Sequence, residues 1–279
     1  MMTYYTRSIF FLLLINSIFA NNDRLVTIGG SITDIVFELG LGDIVVAVDQ
    51  SSTLPKKVKE LPQVGYVRAI STEGILSMMP TKILTSSDIG PPNVVDQLKS
   101  SGVDFRIFDS PSKFEDIIEL VEEISSFLNV ESKGKRLKDK LMLDLEKINK
   151  NNFNKGNPSI AFFMNPTMTG NLNAAGEGTR ANYFIEFIGG SNIFKSSFKR
   201  YNKINKETLI NTNPDIIFVA STDSELQSTA VFLNDRSFEN LNAVKNGKII
   251  YLDLGYHLTF GSKFGEASLF ALNLILDED

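Results

Sequence analysis

The sequence predicts an α/β protein of two lobes, each built on a parallel central sheet, joined by one long α-helix. Short β-branched segments alternate with amphipathic ones, this alternation restarts after residue 158, and a long helical pattern separates the two halves. Strand–helix alternation is typical of a parallel sheet covered by helices on both faces. The length of 279 residues agrees with this, because domains usually hold roughly 100 to 200 residues.

The β-branched segments predict strands in both halves of the chain. In the first half they are residues 25–28, 44–48, 82–85 and 105–108, and in the second half residues 159–164, 216–220 and 249–252. The segments between them carry apolar residues at helical spacing, such as Ile32, Ile35, Val36 and Leu39. The same strand–helix order in both halves is what favours two lobes.

The segment between the halves predicts the connection. Apolar residues from Phe114 to Ile124 form one helical stripe, and a second helix is predicted from Glu131 to Asn149. About twenty helical residues span roughly 30 Å, enough for a rod between lobes. We therefore predict an N-terminal lobe of residues 21–129, a linker helix of 130–152 and a C-terminal lobe of 153–279. An ordinary crossover helix within one large sheet is the alternative.

An internal repeat supports the two lobes. Residues 71–84 align with residues 205–218 at a constant offset of 134 (207 − 73). Each copy predicts a short helix that opens with a glutamate, Glu73 or Glu207, followed by a proline-marked turn and a buried strand. A glutamate in the first turn of a helix can simply interact favourably with the helix dipole. Its equivalent placement in both halves predicts instead a symmetric pair of charges facing a large partner.

The composition excludes several kinds of chemistry. The chain has no cysteine, which excludes disulfides and thiolate sites, and a single histidine, which excludes a multi-histidine zinc site. Its formal net charge of −5 provides no basic surface, so we expect no nucleic-acid partner. We expect an acidic monomer.

Residues 1–20 predict a cleavable signal peptide. Arg7 precedes the apolar run 9–20, which is too short to span a bilayer, and Ala20 provides a small residue at the cleavage point. An uncleaved anchor is the alternative, because Ile18 is not an ideal residue three positions before cleavage. The protein is thus expected to be exported.

The most informative loop candidate is the segment 64–68. Tyr66 and Arg68 are two residues apart, so in an extended segment they point to the same side. A phenol ordinarily has a pKa of about 10, and a nearby guanidinium stabilises its anion. Phenolate is a suitable ligand for ferric iron, and tyrosine can hold haem iron axially. The alternative is a surface tyrosine that follows a glycine turn.

Three further loops offer weaker candidates. His257 could ligate iron or be a hydrogen-bonded structural residue, and Met168 could line an apolar ligand pocket or pack in the core. Gly29 and Gly30 precede a predicted helix and could hold a phosphate, but the remaining glycine of the dinucleotide fingerprint is absent.

Several motifs together resemble the haem-specific periplasmic binding proteins of ABC importers. They are residues 48–53, 61–77, 90–92, 174–179, 189–192 and 260–261. The specific core is Gly-Tyr-x-Arg-x-x-Ser-x-Glu-Gly at residues 65–74, and the likeness extends from about residue 24 to the C-terminus. The two-lobed pattern alone would indicate only the wider siderophore and cobalamin class.

The resemblance implies two Rossmann-like lobes, Tyr66 as the axial ligand of ferric haem, and Arg68 as the support for its phenolate. It also implies that Glu73 and Glu207 dock onto an ABC permease dimer at the inner membrane, one lobe to each subunit. Two departures matter: residues 164–175 contain no histidine, and the family's Gly-Pro-Arg before the last helix is Gly261-Ser262-Lys263. They leave open two-haem binding and the residues that hold the propionates.

The expected function is therefore a non-enzymatic carrier of ferric haem. Met168 and His257 are included with Tyr66 and Arg68 as expected haem contacts, and Tyr66 alone as the metal ligand. A ferric siderophore or cobalamin carrier of the same fold is the first alternative, and a secreted α/β enzyme is the second.

Overall fold

A computed structural model of the protein describes residues 23–152, 156–168, 170 and 172–276. The predicted signal peptide lies outside these residues. The N-terminal lobe contains β1 (Leu25–Ile28), α1 (Gly30–Glu38), β2 (Val45–Val48), β3 (Gly65–Tyr66), β4 (Ala69–Ile70), α2 (Thr72–Leu76), β5 (Lys82–Ser86), α3 (Pro92–Ser100), β6 (Asp104–Phe108) and α4 (Phe114–Phe127). Short 3₁₀ helices occupy Gly42–Ile44 and Lys56–Glu60.

The sheet of this lobe has the strand order β2-β1-β5-β6, and its pairs are parallel. All four residues of β1 are buried, as expected for an interior strand between two helical layers. The predicted strands agree with the observed ones to within one residue at each end. Parallel strands place their carboxyl ends, and the loops that follow them, along one edge of the sheet.

The chain then passes through one long helix into the second lobe. This helix is α5 (Glu131–Asn152), and the second lobe contains β7 (Ser159–Met164), β8 (Leu172–Ala175), α6 (Arg180–Phe187), β9 (Ser191–Asn192), β10 (Tyr201–Ile204), α7 (Lys206–Thr212), β11 (Ile216–Ser221), α8 (Glu225–Leu233), α9 (Asn242–Lys245), β12 (Ile249–Asp253), α10 (Leu254–Leu258) and α11 (Phe264–Leu276). A 3₁₀ turn occupies Arg236–Phe238.

The second sheet differs from the prediction in one respect. Its order is β10-β8-β7-β11-β12, and only its β7-β11-β12 part, together with β9 beside β7, is parallel. β8 runs antiparallel to both β7 and β10, so this sheet is mixed. Leu172–Ala175 is not among the predicted strands, because a four-residue segment with two alanines and an asparagine has little intrinsic strand propensity.

The internal repeat is visible in the structure. Ser71 caps α2 by accepting a hydrogen bond from the Gly74 N–H, and Asn205 caps α7 by accepting one from the Thr208 N–H, at 3.0 and 2.8 Å. Each helix is followed by a residue with a left-handed backbone, Met79 or Asn213. These caps and turns recur at the offset of 134 (213 − 79), so the two segments share a local conformation.

The lobes meet beside an aromatic cluster. The hydroxyl of Tyr183 on α6 accepts a hydrogen bond of 2.9 Å from the N–H of Phe114, the first residue of α4. The Tyr183 ring lies 5.7 to 6.3 Å from the rings of Phe187, Phe260 and Phe264. This cluster joins the start of α4 to the second lobe and leaves the strand-end loops facing each other.

Candidate ligand-binding cleft

A cavity of about 200 Å³ lies between the loops that follow the strands of the first sheet and the start of α6 in the second lobe. From the first lobe it is lined by the loops after β1, β2, β5 and β6 and by the β3–β4 hairpin, and from the second lobe by the start of α6. Side chains that line it include Tyr66, Arg68, Asp88 and Arg180. The site therefore lies at the carboxyl ends of the strands, where open α/β sheets bind ligands.

The loop after β1 is held by a buried carboxylate. Asp49, which follows β2, accepts hydrogen bonds from the Gly29 N–H at 2.8 Å and the Ser52 hydroxyl at 2.6 Å. Gly29 has a φ of 110°, and a Cβ there would lie 2.9 Å from the Ser86 hydroxyl oxygen. A side chain at Gly29 is therefore excluded both by backbone conformation and by space.

A two-stranded hairpin presents the predicted phenol. β3 and β4 pair Gly65 with Ile70 and Tyr66 with Ala69, and main-chain hydrogen bonds fix the hairpin to Gln50 and Gly90. Tyr66 is 46% exposed at the rim of the cavity. The segment predicted as a loop is thus a short hairpin, and Tyr66 and Arg68 both line the same cavity.

Arg68 is paired with a carboxylate that the sequence analysis did not single out. Its Nη2 lies 2.7 Å from Oδ1 of Asp88, whose other oxygen accepts a hydrogen bond of 2.7 Å from the Ser110 hydroxyl. The hydrogen bond and the charge of Asp88 raise the pKa of Arg68, and interaction with Tyr66 contributes less. Burial favours a higher pKa for Asp88, but Ser110, Arg68 and Arg180 together lower it. Both groups are therefore ionised at neutral pH.

Arg180 forms the opposite wall, and the sequence analysis missed it. Its Nε donates to the Pro111 carbonyl at 3.0 Å, and its Nη1 to the Leu258 and Thr259 carbonyls at 3.3 and 3.4 Å. Its guanidinium lies 5.3 Å from the centre of the Phe260 ring. A signal was present in the sequence, since Arg180 follows the capping residue Thr179 and a cation opposes the dipole at a helix start.

The structure does not bring Met168 or His257 to this cavity. Met168 is 63% exposed, and His257 is 2% exposed and lines a separate cavity of about 620 Å³ in the second lobe. Nδ1 of His257 lies 3.0 Å from the Asp253 carbonyl, so it must be the protonated ring nitrogen. Burial lowers the pKa of His257 and favours the neutral ring. This geometry is that of the hydrogen-bonded structural histidine.

The other predicted groups are placed as follows. Glu73 and Glu207 are both exposed, each as the second residue of its short helix. Across the described ranges of the chain, no cluster of three or more His, Cys, Asp or Glu side chains is arranged to hold a metal ion. In the same ranges, no helix combines the length and apolar character needed to cross a membrane.

Comparison with known sequences gives the family and several similar curated proteins. The periplasmic binding protein family matches residues 25–254. The vitamin B12-binding protein of Vibrio parahaemolyticus is 25% identical over 198 residues, which are 71% of this chain and 70% of that protein. The vitamin B12-binding protein of Yersinia pestis is 22% identical over 210 residues, or 75% and 74% of the two chains.

Comparison with solved structures gives a second group of similar proteins. The periplasmic haem-binding protein RhuT from Roseiflexus sp. RS-1 has a TM-score of 0.82 and 28% identity over 92% of this chain and 98% of that chain. BhuT, solved with two haems, has a TM-score of 0.82 and 26% identity over 91% and 98% of the chains. The vitamin B12-binding protein BtuF of Vibrio cholerae, at 22% identity and a TM-score of 0.76 over 91% and 97%, shares the fold.

Proposed function

Because this chain belongs to the periplasmic binding protein family, a family of solute-binding proteins rather than enzymes, we propose that it carries ferric haem to an ABC importer. The family assignment therefore rules out the alternative of a secreted α/β enzyme. In this proposal the protein works in the periplasm after residues 1–20 have been removed. The cargo lies between a lobe of residues 21–129 and a lobe of residues 153–279, which the helix of residues 130–152 joins.

One observation carries the choice of haem. Tyr66 is an exposed phenol at the rim of the interlobe cavity, and Arg68 lines the same cavity two residues later. Phenolate oxygen is one of the axial ligands that proteins use for haem iron. Because Tyr66 is exposed at the rim, its oxygen is accessible to a ligand that lies at the mouth of the cavity.

The dimensions of the cavity indicate how such a ligand would sit. About 200 Å³ is less than the roughly 300–1,000 Å³ of pockets that enclose small molecules. A porphyrin therefore does not fit inside the cavity as a whole. We propose that the macrocycle lies at the mouth, against Tyr66, while one polar edge enters the cavity. The haem-binding proteins among the similar structures support a cargo of this class.

The test is a titration of the purified protein with haemin, followed by visible spectroscopy. The wild-type protein is expected to show a high-spin ferric tyrosinate band that Tyr66→Phe lacks. Tyr251→Phe is the matched control, since the Tyr251 hydroxyl donates to main-chain carbonyls of Ser221 and Asp223 within the second lobe. Identical spectra for wild type and Tyr66→Phe would overturn the assignment of the iron ligand.

A cobalamin cargo is the second candidate, and the curated relatives favour it. Cobalamin needs no phenolate from the protein, so Tyr66→Phe is expected to leave its binding unchanged. Calorimetric titration of the wild-type protein with cyanocobalamin, beside the haemin titration, distinguishes the two cargoes. Binding of cyanocobalamin together with no binding of haemin would replace the haem proposal.

A further inference from the structure

The interlobe cavity contains two guanidinium groups with different electrostatic surroundings. Arg68 has a carboxylate partner, since its Nη2 lies 2.7 Å from Oδ1 of Asp88. Arg180 lines the same cavity, but within the described part of the chain no carboxylate oxygen lies within 4.0 Å of its guanidinium nitrogens. Its hydrogen-bond partners are the neutral carbonyls of Pro111, Leu258 and Thr259.

The side chain of Arg180 is held in place by contacts with residues of both lobes. The loop that supplies two of its carbonyl partners continues into Phe260, whose backbone is left-handed, with a φ of 57°. A phenylalanine in that conformation is unusual and is kept only when its surroundings require it. The Phe260 ring lies beneath the guanidinium, and the Pro111 carbonyl holds Nε from the other lobe. The side chain is thus fixed at the boundary between lobes, with Nη2 making no hydrogen bond to any described residue.

This arrangement is electrostatically unfavourable without a further anion. Burial lowers the pKa of Arg180, which means that its charged form is poorly solvated. Arg180 is also the first residue of α6, where the helix dipole repels a cation. Asp88 attracts it, but the hydrogen bonds of that carboxylate go to Arg68 and Ser110. Buried charges are ordinarily paired, so an unpaired guanidinium facing a cavity indicates a place for an anion.

We propose that Arg180 is the residue that binds a carboxylate of the cargo, with Nη2 directed at the anion and Nε holding the opposite lobe. The inference rests on the proposed function, since haem carries two propionate carboxylates. It gives the chain a specificity determinant for anionic over neutral cargo. A carboxylate bound there contacts a side chain of the second lobe that is hydrogen-bonded to the first, so anion binding reinforces the contact between lobes.

Two other cations, Arg68 in the same cavity and Lys263 at the lobe boundary, are already paired. Lys263 stands where the resembling family has arginine, but its Nζ lies 3.2 Å from Oε2 of Glu38. Arg68 is bound to Asp88 and is exposed at the rim. The remaining acid of the cavity, Asp109, is exposed and is no partner of Arg180. Arg180 is therefore the cation whose charge is least compensated within the described cavity wall.

The experiment compares haemin with its dimethyl ester, which keeps the iron porphyrin but replaces both carboxylates with neutral esters. Affinities for the two ligands are measured for wild type, Arg180→Met, Arg180→Lys and the exposed control Arg236→Met. Arg180→Met is expected to weaken haemin binding about 10- to 100-fold, the range of a lost charge-assisted hydrogen bond. It is expected to leave binding of the ester within about 3-fold, and Arg180→Lys is expected to recover part of the loss.

Two results would overturn the inference. If Arg180→Met weakened the binding of haemin and of the ester equally, Arg180 would have a structural role between the lobes. If the variant bound both ligands as the wild type does, Arg180 would have no role in binding. Lys263→Met controls for removal of a cation at the lobe boundary and is expected to change the ratio of the two affinities little. Thermal unfolding of each variant identifies a loss of fold, which would weaken both ligands together.

Failure of the haem proposal is recognised separately, because the wild-type protein would then bind neither haemin nor the ester. In that case the same variants are titrated with a trianionic ferric tricatecholate and a neutral ferric trihydroxamate. Selective loss of the trianionic complex in Arg180→Met would support the anion site with another cargo. Loss of neither complex, or of both equally, would reject it.

Discussion

Oδ2 of Asp34, a buried residue on α1, accepts a hydrogen bond of 2.5 Å from the backbone N–H of Ser262, just before α11. The two residues are 228 positions apart in sequence. Beside them the Ser31 hydroxyl donates to the Thr259 carbonyl at 2.5 Å. The start of the first helix is therefore fixed to the loop that precedes the last helix, close to the ligand cavity.

Asp34 is expected to make stability depend on pH in the weakly acid range. Burial raises its pKa from 3.8 to about 6, although hydrogen bonding from Ser262 and the charge of Lys263 lower it and Glu38 raises it slightly. Because the folded state holds the proton more tightly, this stabilisation is complete below pH 4 and is lost as pH rises through about 6. The contribution of Asp34 to the free energy of unfolding is expected to change by about 2 to 3 kcal/mol across this pH range.

The measurement is urea unfolding at pH 4.5 and 7.5 for wild type and Asp34→Asn. The asparagine keeps an oxygen that can accept the Ser262 hydrogen bond but does not titrate, so the variant is expected to gain stability relative to wild type at pH 7.5. Asp235→Asn is a control of opposite sign. Hydrogen bonding from Lys206 and Ser237 lowers the pKa of Asp235 to about 2, so that group stabilises the fold above pH 4. A wild-type to Asp34→Asn difference independent of pH would contradict the prediction.

Gly261 is expected to be required for the same contact. A Cβ at this residue would lie 2.3 Å from Oδ2 and 3.2 Å from Cγ of Asp34, whose side chain is buried and cannot turn away freely. We expect Gly261→Ala to lower the free energy of unfolding by about 1 to 3 kcal/mol, as overpacking does. Gly156→Ala is the control, because no described heavy atom lies within 4 Å of its Cβ position. Urea unfolding of both variants decides the point, and equal stability of the two would contradict close packing of the lobes at Asp34.

Glu73 and Glu207 are proposed to bind the permease, one from each lobe. Both are exposed and occupy equivalent positions on the repeated helices α2 and α7, so their removal should not disturb the fold. We expect Glu73→Ala with Glu207→Ala to abolish uptake of haem while leaving haemin affinity within about 3-fold. An electrostatic docking contact of this kind steers association and fixes register.

The matched control for docking is Glu60→Ala with Glu239→Ala, which removes one exposed acid from each lobe outside the repeat. Uptake by that control should remain close to wild type, as measured in cells that depend on haem for iron. Normal uptake by the Glu73 and Glu207 double variant would remove the proposed docking role. Loss of haemin binding together with uptake would instead indicate misfolding.

The strands of the parallel sheets were predictable because their signal is local. A buried strand such as Ile216–Ser221 is a continuous run of apolar and small residues, and the neighbouring turns are marked by proline and glycine. The strand Tyr201–Ile204 was not predicted, because two of its four residues are exposed polar side chains. It pairs antiparallel with Leu172–Ala175, and pairing between weak strands is decided by the sheet around them.

The candidate site was predictable in part for a similar reason. Tyr66 and Arg68 lie in one short motif and both line the cavity, although Arg68 lies in the turn between β3 and β4 and not in an extended segment. The carboxylate that holds Arg68 comes from the loop after another strand, and nothing in the spacing from residue 68 to residue 88 marks Asp88 as its partner. His257 had two interpretations in the sequence, a ligand contact or a structural histidine, and the structure buries it beside Phe184 and Phe270.

The sequence by itself determined the succession of strands and helices, the long helix between the halves, and the Tyr66 motif, because each depends on residues close together in the chain. Only the tertiary structure decided that Arg180 faces Arg68 across the cavity and that Asp34 meets Ser262. Those contacts join residues far apart in the chain, 228 positions for Asp34 and Ser262, and a pattern of neighbouring residues does not specify which distant residues meet.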